Sequence, residues 1–167
     1  MTIRIGIVTI SDRASLAQRP DTSGPALATV ITQRGWQVVR TTVLPDEFES
    51  IVATLTDWAD NNEMDVILTT GGTGFSPRDV TPEATLAVIQ RTTPGITEAM
   101  RAASLHITPH AMLSRAAAGI RARTLIVNLP GSPKGAVENL EVLLPVIPHA
   151  VQLLREDPSA EAGHRSL

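Results

Sequence analysis

The sequence predicts one three-layer α/β domain, an open and mostly parallel sheet with helices on both faces. Three observations carry this prediction. Short runs of branched aliphatics alternate with segments whose apolar residues recur at helical spacing, the order of a repeating βαβ chain. The first run, Ile3 to Ile10, is apolar on both faces, as a strand covered on both sides reads. The informative polar loops follow strands, where an open sheet of this kind places its ligand crevice.

The elements follow in order. Ile3 to Ile10 is strand one, and Ser11 to Asp21 is a polar connection. Ser23-Gly24-Pro25 reads as a helix start with a capping serine and a first-turn proline, continued by Leu27, Val30 and Ile31 and ended by Gly35. Trp36 to Leu44 is strand two. In Pro45-Asp46-Glu47-Phe48-Glu49 an aspartate precedes a glutamate by three residues, a capping-box variant, and Ile51, Leu55 and Trp58 extend that helix along one face. Asp65 to Thr70 is strand three and runs directly into Gly71-Gly72-Thr73-Gly74. Thr81-Pro82-Glu83 opens the next helix, and Pro94-Gly95 breaks it and starts a short one through Met100 and Leu105. Pro109 marks a boundary. Ala118 to Val127 holds two short strands around Arg121-Ala122-Arg123; Leu129 to Pro133 is a loop, and Lys134 to Leu154 a long closing helix. Residues 1–155 form the functional domain and 156–167 a frayed, flexible tail.

Composition narrows the function. The chain has 167 residues, enough for one full core, with 43% hydrophobic residues, net charge −3, no cysteine and 2% aromatics. Without cysteine there is no disulfide framework, thiolate metal site or cysteine nucleophile, and the expected location is a reducing cytoplasm. Acidic balance and scarce aromatics argue against duplex and single-stranded nucleic acid. The run between Arg4 and Arg13 is too short for a membrane span and lacks a small-residue cleavage site, so it reads as a core strand; no later stretch reaches about 18 uninterrupted apolar residues.

Four strand-end loops should converge. Gly71-Gly72-Thr73-Gly74 lets backbone N–H groups approach a ligand closely, as a tight turn or as an anion nest, although it matches neither the P-loop nor the dinucleotide fingerprint. Arg78 and Asp79, just before a helix start, favour phosphate and a hydrated cation. Asp46 and Asp79 suit helix capping and equally suit Mg²⁺, which takes one or two carboxylates with substrate phosphates and water. Ser114-Arg115 offers a hydroxyl and a fixed charge, or simply an exposed loop end. Lys134, the only lysine, stands at a helix start where the dipole disfavours a cation, which makes sense beside an anion or in solvent. His106 and His110 are four apart, but Pro109 breaks the register that would align them on a metal. With no Ser/His/acid arrangement, these loops point to nucleotidyl or phosphoryl transfer in which the substrate itself attacks.

The segments TISDRAS (Thr9 to Ser15), LPDE (Leu44 to Glu47), LTTGGTGFSPRDVTPEAT (Leu68 to Thr85), PGITEAMR (Pro94 to Arg101), LSRAAAGIR (Leu113 to Arg121) and LIVNLPGSPKGAVENL (Leu125 to Leu140) closely resemble the MogA/MoaB family of molybdenum cofactor biosynthesis proteins. The resemblance covers nearly the whole chain. It implies a Rossmann-like molybdenum cofactor biosynthesis domain and molybdopterin adenylyltransferase activity. In that reaction the terminal phosphate of molybdopterin attacks the α-phosphorus of ATP and pyrophosphate leaves. By this resemblance Asp46 and Asp79 are the catalytic, Mg²⁺-binding pair, and Gly71, Gly72, Thr73, Gly74 and Arg78 bind nucleotide phosphate. Ser11, Asp12, Arg13, Ser114, Arg115, Pro130, Gly131, Ser132 and Lys134 then line the pterin and phosphate side, with Phe75 the nearest stacking candidate. It further implies a homotrimer and transient contact with the molybdenum insertion protein, while composition and hydropathy leave no nucleic-acid or membrane partner expected. The alternative is a non-catalytic molybdopterin-binding or scaffolding homologue, with a Mg²⁺-dependent pyrophosphatase of related fold more distant; Asp46 and Asp79 favour the enzyme. An enzyme that handles a free dithiolene also gains from presenting no thiol of its own.

Overall fold

A computed structural model describes residues 2–158 and 160. Its sheet has six strands in the order β2-β1-β3-β6-β5-β4. The strands β1 (Arg4–Ile10), β2 (Gln37–Leu44), β3 (Val66–Thr70) and β6 (Thr124–Leu129) run parallel. The edge is an antiparallel addition: β5 (Ala118–Arg121) turns into β6 through Ala122, held at φ +49°, and β4 (Arg91–Thr92) pairs with β5. Both residues of β4 are exposed, and two exposed polar residues carry no strand periodicity, so nothing in the sequence marks this strand.

Strand parity divides the core. Ile5, Ile7, Val66, Leu68, Leu125 and Val127 face one side, where α2 (Ser23–Gln33), α5 (Pro94–Leu105) and α6 (Pro133–Leu143) pack with Leu27, Ile31, Met100 and Leu140. Val8, Ile10, Ile67 and Ile126 face the other, against Ile51, Leu55 and Trp58 of α3 (Phe48–Asp60) and Ala84 and Val88 of α4 (Thr81–Val88). The three-layer expectation therefore holds. Among the described residues no single helix is long and apolar enough to cross a membrane.

Several local readings need correction. Ser11 to Asp21 is not wholly irregular: Ser11 caps a one-turn helix, α1 (Asp12–Ser15), its Oγ accepting from Ala14 N at 3.2 Å. Ser23 does not cap α2. Asp21 does that work, its Oδ1 accepting from Gly24 N at 3.0 Å. Nor does Asp46 build a capping box, because α3 begins two residues later behind Glu47 and has no side-chain cap. The short helix after Pro94 runs twelve residues, followed by a 3₁₀ turn over Pro109–Leu113. The long closing helix is two, α6 and α7 (Ile147–Leu154), bent by 63°. Pro145 and Pro148 each lack an N–H, so no continuous ladder spans that stretch. The expected tail lies mostly outside the described residues; Ala160 is buried.

Candidate functional site

In-register pairing brings the carboxyl ends of β1, β2, β3 and β6 to one edge: Ile10 lies opposite Leu44, Thr9 opposite Thr70, and Thr70 opposite Leu129. The loops leaving these ends tie to one another. Asp12 N donates to Asp46 Oδ2 at 2.9 Å, and Asp46 N donates back to Asp12 Oδ1 at 3.0 Å. Arg78 then closes on Asp12 bidentately, through Nε at 3.0 Å and Nη2 at 2.8 Å. Asp46, expected to cap a helix, instead locks two loops.

The glycine turn is tight because it must be. Gly71 lies at φ +103° and Gly72 at +65°. A Cβ on Gly71 would sit almost on the carbonyl oxygen of Ile10; one on Gly72 would collide with Thr81 Oγ1 and come within 3.0 Å of Asp46 Oδ1. Gly131 brings the last loop alongside, its Cβ position 3.2 Å from Gly71 Cα. Thr70 Oγ1 donates to Pro130 O at 2.7 Å and holds that loop. On the far side of the turn, Asp79 Oδ2 accepts from Ser76 N at 3.0 Å.

Two clefts flank this turn. The larger, about 510 Å³, is lined by Ser11, Asp12, Arg13, Asp46, Gly71, Gly72, Arg78, Asp79, Gly131 and Ser132 of the sequence-derived set. Sequence reasoning missed Arg19, Asp21 and Ser76 on its wall; Arg19 and Asp21 sit in no recognisable chemical motif, whereas Ser76 lies within the quoted Leu68 to Thr85 segment, between the glycine turn and Arg78. The smaller, about 280 Å³, holds Thr73, Gly74, Ser114, Pro130 and again Ser132. Its missed members include Arg101, Ser104, His110, Glu138 and Asn139. The 135, 138, 139 spacing on α6 is the signal that could have found the last two.

Three assigned residues line neither cleft. Arg115 turns its guanidinium onto protein carbonyls. Lys134 is exposed and sits 3.7 Å from Glu138 on the next turn of its own helix. Phe75, the stacking candidate, is 67% exposed and lies outside both linings. The four expected cations thus do not share one crevice; Arg13 and Arg78 do, joined by Arg19.

Electrostatics separate the three aspartates. The hydrogen bonds from Arg78 hold the Asp12 carboxyl below its ordinary range. Burial pushes Asp46 up, and the neighbouring charges of Asp12 and Asp79 add to that, against the N–H bond from Asp12. Such a group gains from a cation. Asp46 Oδ1 and Asp79 Oδ1 accept no hydrogen bond from described residues. No three His, Asp or Glu side chains among the described residues converge on a single point. This donor set fits Mg²⁺, which keeps most of its shell for water and phosphate, and does not fit an all-protein cage.

Comparisons with known proteins agree with this architecture. The family model "Probable molybdopterin binding domain" matches residues 6–149. The chain is 47% identical to gephyrin of Dictyostelium discoideum, over 97% of this chain but only 24% of that protein. It is 43% identical to the molybdopterin adenylyltransferase of Escherichia coli K12, over 97% of this chain and 90% of that one. Among solved structures, the molybdopterin biosynthesis enzyme MoaB of Thermus thermophilus is 48% identical with TM-score 0.88, covering 94% of this chain and 99% of that chain. MogA is 40% identical with TM-score 0.86, covering 90% and 99%. The chain belongs to the molybdenum cofactor biosynthesis family of molybdopterin-binding domains.

Proposed function

We propose that this chain transfers AMP from ATP to the terminal phosphate of molybdopterin, with Mg²⁺, giving adenylylated molybdopterin and pyrophosphate. The observation that carries the reading is the pair Asp46 and Asp79, each with an oxygen free of described donors, in one cleft on either side of the Gly71–Gly74 turn. The adenylyltransferases of Escherichia coli and Helicobacter pylori support it, each 43% identical over 88–90% of its own length.

Among the described residues no histidine lines the larger cleft, so its hydroxyls have no described imidazole base beside them. The attacking oxygen therefore belongs to the substrate: a molybdopterin phosphate oxygen forms a bond to the α-phosphorus of ATP as the bond to the bridging oxygen breaks, and that electron pair leaves with pyrophosphate. Asp46 and Asp79 would hold Mg²⁺, whose charge offsets that of the phosphates and the leaving group. Arg13 and Arg19 carry no carboxylate partner among the described residues and face the same cleft, free to receive phosphate oxygens. Arg78 keeps Nη1 available while Asp12 fixes its plane. The Gly71–Gly74 backbone approaches phosphate without side-chain obstruction. The smaller cleft, with Ser114 and Glu138, provides the polar edge that a heterocycle needs, while Asn139 donates to Gly135 O and Ser104 Oγ and shapes its wall.

The reading extends to residues 1–155 as the catalytic unit, to a homotrimer, to the cytoplasm, and to a molybdenum insertion protein that takes the product. The absence of cysteine supports a reducing compartment. Incubation with molybdopterin and MgATP, followed by AMP transfer and pyrophosphate release, tests the activity. Asp79→Asn retains an oxygen to accept the Ser76 N–H and removes only charge. It should lower turnover by about 10²-fold or more with molybdopterin affinity nearly unchanged. Normal turnover in that variant overturns the metal assignment. Wild-type protein that binds molybdopterin and never transfers AMP is a binding protein.

A further inference from the structure

We propose that Arg115 is a positioning residue that staples the catalytic loop shut, rather than a ligand for substrate phosphate. The proposal rests on the adenylyl-transfer reading for its kinetic consequence, and on geometry alone for its structural one.

The loop from Gly74 to Asp79 carries Arg78 and Asp79 and is exposed along Phe75, Ser76, Pro77 and Arg78. Within it, hydrogen bonds join only Ser76 to Asp79 and Arg78 N to Ser76 Oγ, the last at 3.4 Å. The Arg78 fork on Asp12 tethers it at one exposed side chain, and its main-chain ends open easily unless they too are fixed. Arg115 fixes both. Its Nε donates to Gly74 O at 2.7 Å and its Nη2 to Asp79 O at 2.7 Å, so one rigid guanidinium plane spans the two ends of the loop. The plane has its own anchor, because Arg115 N donates to Thr73 O at 2.9 Å, one residue before the loop. A third edge is held by Glu83 in the first turn of α4, which accepts from Nη1.

Three of the five guanidinium protons are thus committed in three directions, and the residue lines neither cleft. Glu83 is about half exposed, so this ion pair contributes orientation more than stability. What the staple fixes is where Asp79 stands relative to Asp46. A displacement of about 1 Å in such a group lowers a rate by roughly 10²-fold. Lysine keeps the charge but has no planar fork to bridge two carbonyls.

The test is residue-resolved amide exchange and steady-state kinetics on wild type and Arg115→Lys. In wild type the Ser76 and Asp79 amides should be protected despite their exposed loop. In R115K their exchange should accelerate by roughly tenfold or more while the β1, β3 and β6 amides are unchanged. AMP transfer should show a 10- to 100-fold lower kcat (roughly, by the same displacement), a raised Mg²⁺ requirement, and a molybdopterin Kd within about twofold of wild type. A weakened Kd with unchanged exchange in residues 74–79 makes Arg115 a phosphate ligand and overturns the proposal. Unprotected Ser76 and Asp79 amides in wild type overturn it without any variant. If wild type transfers no AMP, the adenylyl-transfer reading falls alone and the exchange result still decides the staple.

Discussion

The tightness of the Gly71 turn yields a quantitative prediction, because the two costs of adding a side chain there can be separated within this molecule. Gly71→Ala places a Cβ at φ +103° and almost on the carbonyl oxygen of Ile10, with the carbonyl carbon 3.3 Å away. Gly35→Ala also demands a positive φ, +75°, but meets no described residue within 4 Å, and Gly95→Ala likewise meets none and needs no unusual φ. Backbone strain alone costs about 1–3 kcal/mol. The collision is with main chain, which cannot rotate away, so either Ile10 or Gly71 must shift by about 1 Å, at roughly 1–3 kcal/mol more. G95A should therefore be neutral or stabilising by about 0.4–1 kcal/mol. G35A should lose about 1–2 kcal/mol, and G71A about 2–6 kcal/mol as the sum of both costs.

For a chain of this length each kcal/mol moves the melting midpoint by about 2–4 °C, so G71A falls on the order of 5–20 °C and G35A only a few degrees. Ile10 leads directly into Ser11 and Asp12, and the latter is locked to Asp46. The same shift should thus lower AMP transfer in G71A by about 10²-fold at a temperature where the protein remains folded. Thermal melts and turnover at 20–30 °C below the variant's own midpoint, roughly the margin set by that loss, measure both effects. A G71A protein as stable as G35A refutes the collision. A G71A protein destabilised as expected but fully active refutes the coupling between this turn and the aspartates.

Two further variants separate charge from shape. Burial raises the Asp46 pKa, so the folded state binds the proton more tightly than the unfolded chain, and keeping the group ionised costs stability above the folded pKa. Asp46→Asn should therefore melt no lower than wild type at pH 7, and somewhat higher, while AMP transfer is lost; a lower midpoint with activity retained contradicts the assignment. Asp65 is the opposite case. Burial alone would raise its pKa, but hydrogen bonds from Arg4 and Arg155 outweigh burial and hold it low. Its stabilisation is present above the unfolded carboxyl range of about 3.9 and is lost as pH falls through the depressed folded value. Asp65→Asn should cost about 2 kcal/mol at neutral pH, reduced because both arginines are partly exposed, with the gap to wild type closing below about pH 4; urea melts at pH 7 and pH 3 measure it.

The parts of the fold that are legible in the sequence are those set by period. Buried strands β1, β3 and β6 declare themselves as apolar runs, and α3 by Ile51, Leu55 and Trp58 on one face. Misreadings arise where one residue type serves two geometries. An aspartate three residues ahead of a glutamate resembles a capping box, yet Asp46 bonds across to Asp12, 34 residues away, and a local pattern holds no trace of that. Ser23 looks like a cap, but Asp21, two residues earlier, is an equally good acceptor and lies at the right height. The closing helix reads straight through Pro145 and Pro148 because Leu140, Leu143, Ile147 and Val151 keep a helical apolar spacing across the bend.

The candidate site divides along the same line. Loops that follow parallel strands must meet at one edge, so placing Asp12, Asp46, Gly71, Arg78 and Asp79 together requires only topology. Whether a cation in those loops faces a ligand or the protein is decided by carbonyl and carboxylate positions that sequence does not contain. Arg115 faces Gly74 and Asp79 oxygens, and Lys134 faces Glu138. Arg19, which no motif marks, faces the cleft. The net charge of −3 is consistent with binding a triphosphate for the same reason. Of the cations in this cleft, Arg13 and Arg19 have no carboxylate partner among the described residues and Arg78 keeps one nitrogen free, but Asp12, Asp21, Asp46 and Asp79 share the lining, so carboxylates outnumber guanidiniums there until a cation joins them. Anion affinity therefore rests on where the uncommitted guanidiniums of Arg13 and Arg19 stand and not on a net positive cleft, and substituting Arg19 alone should weaken ATP more than a change in bulk charge of equal size on the opposite face.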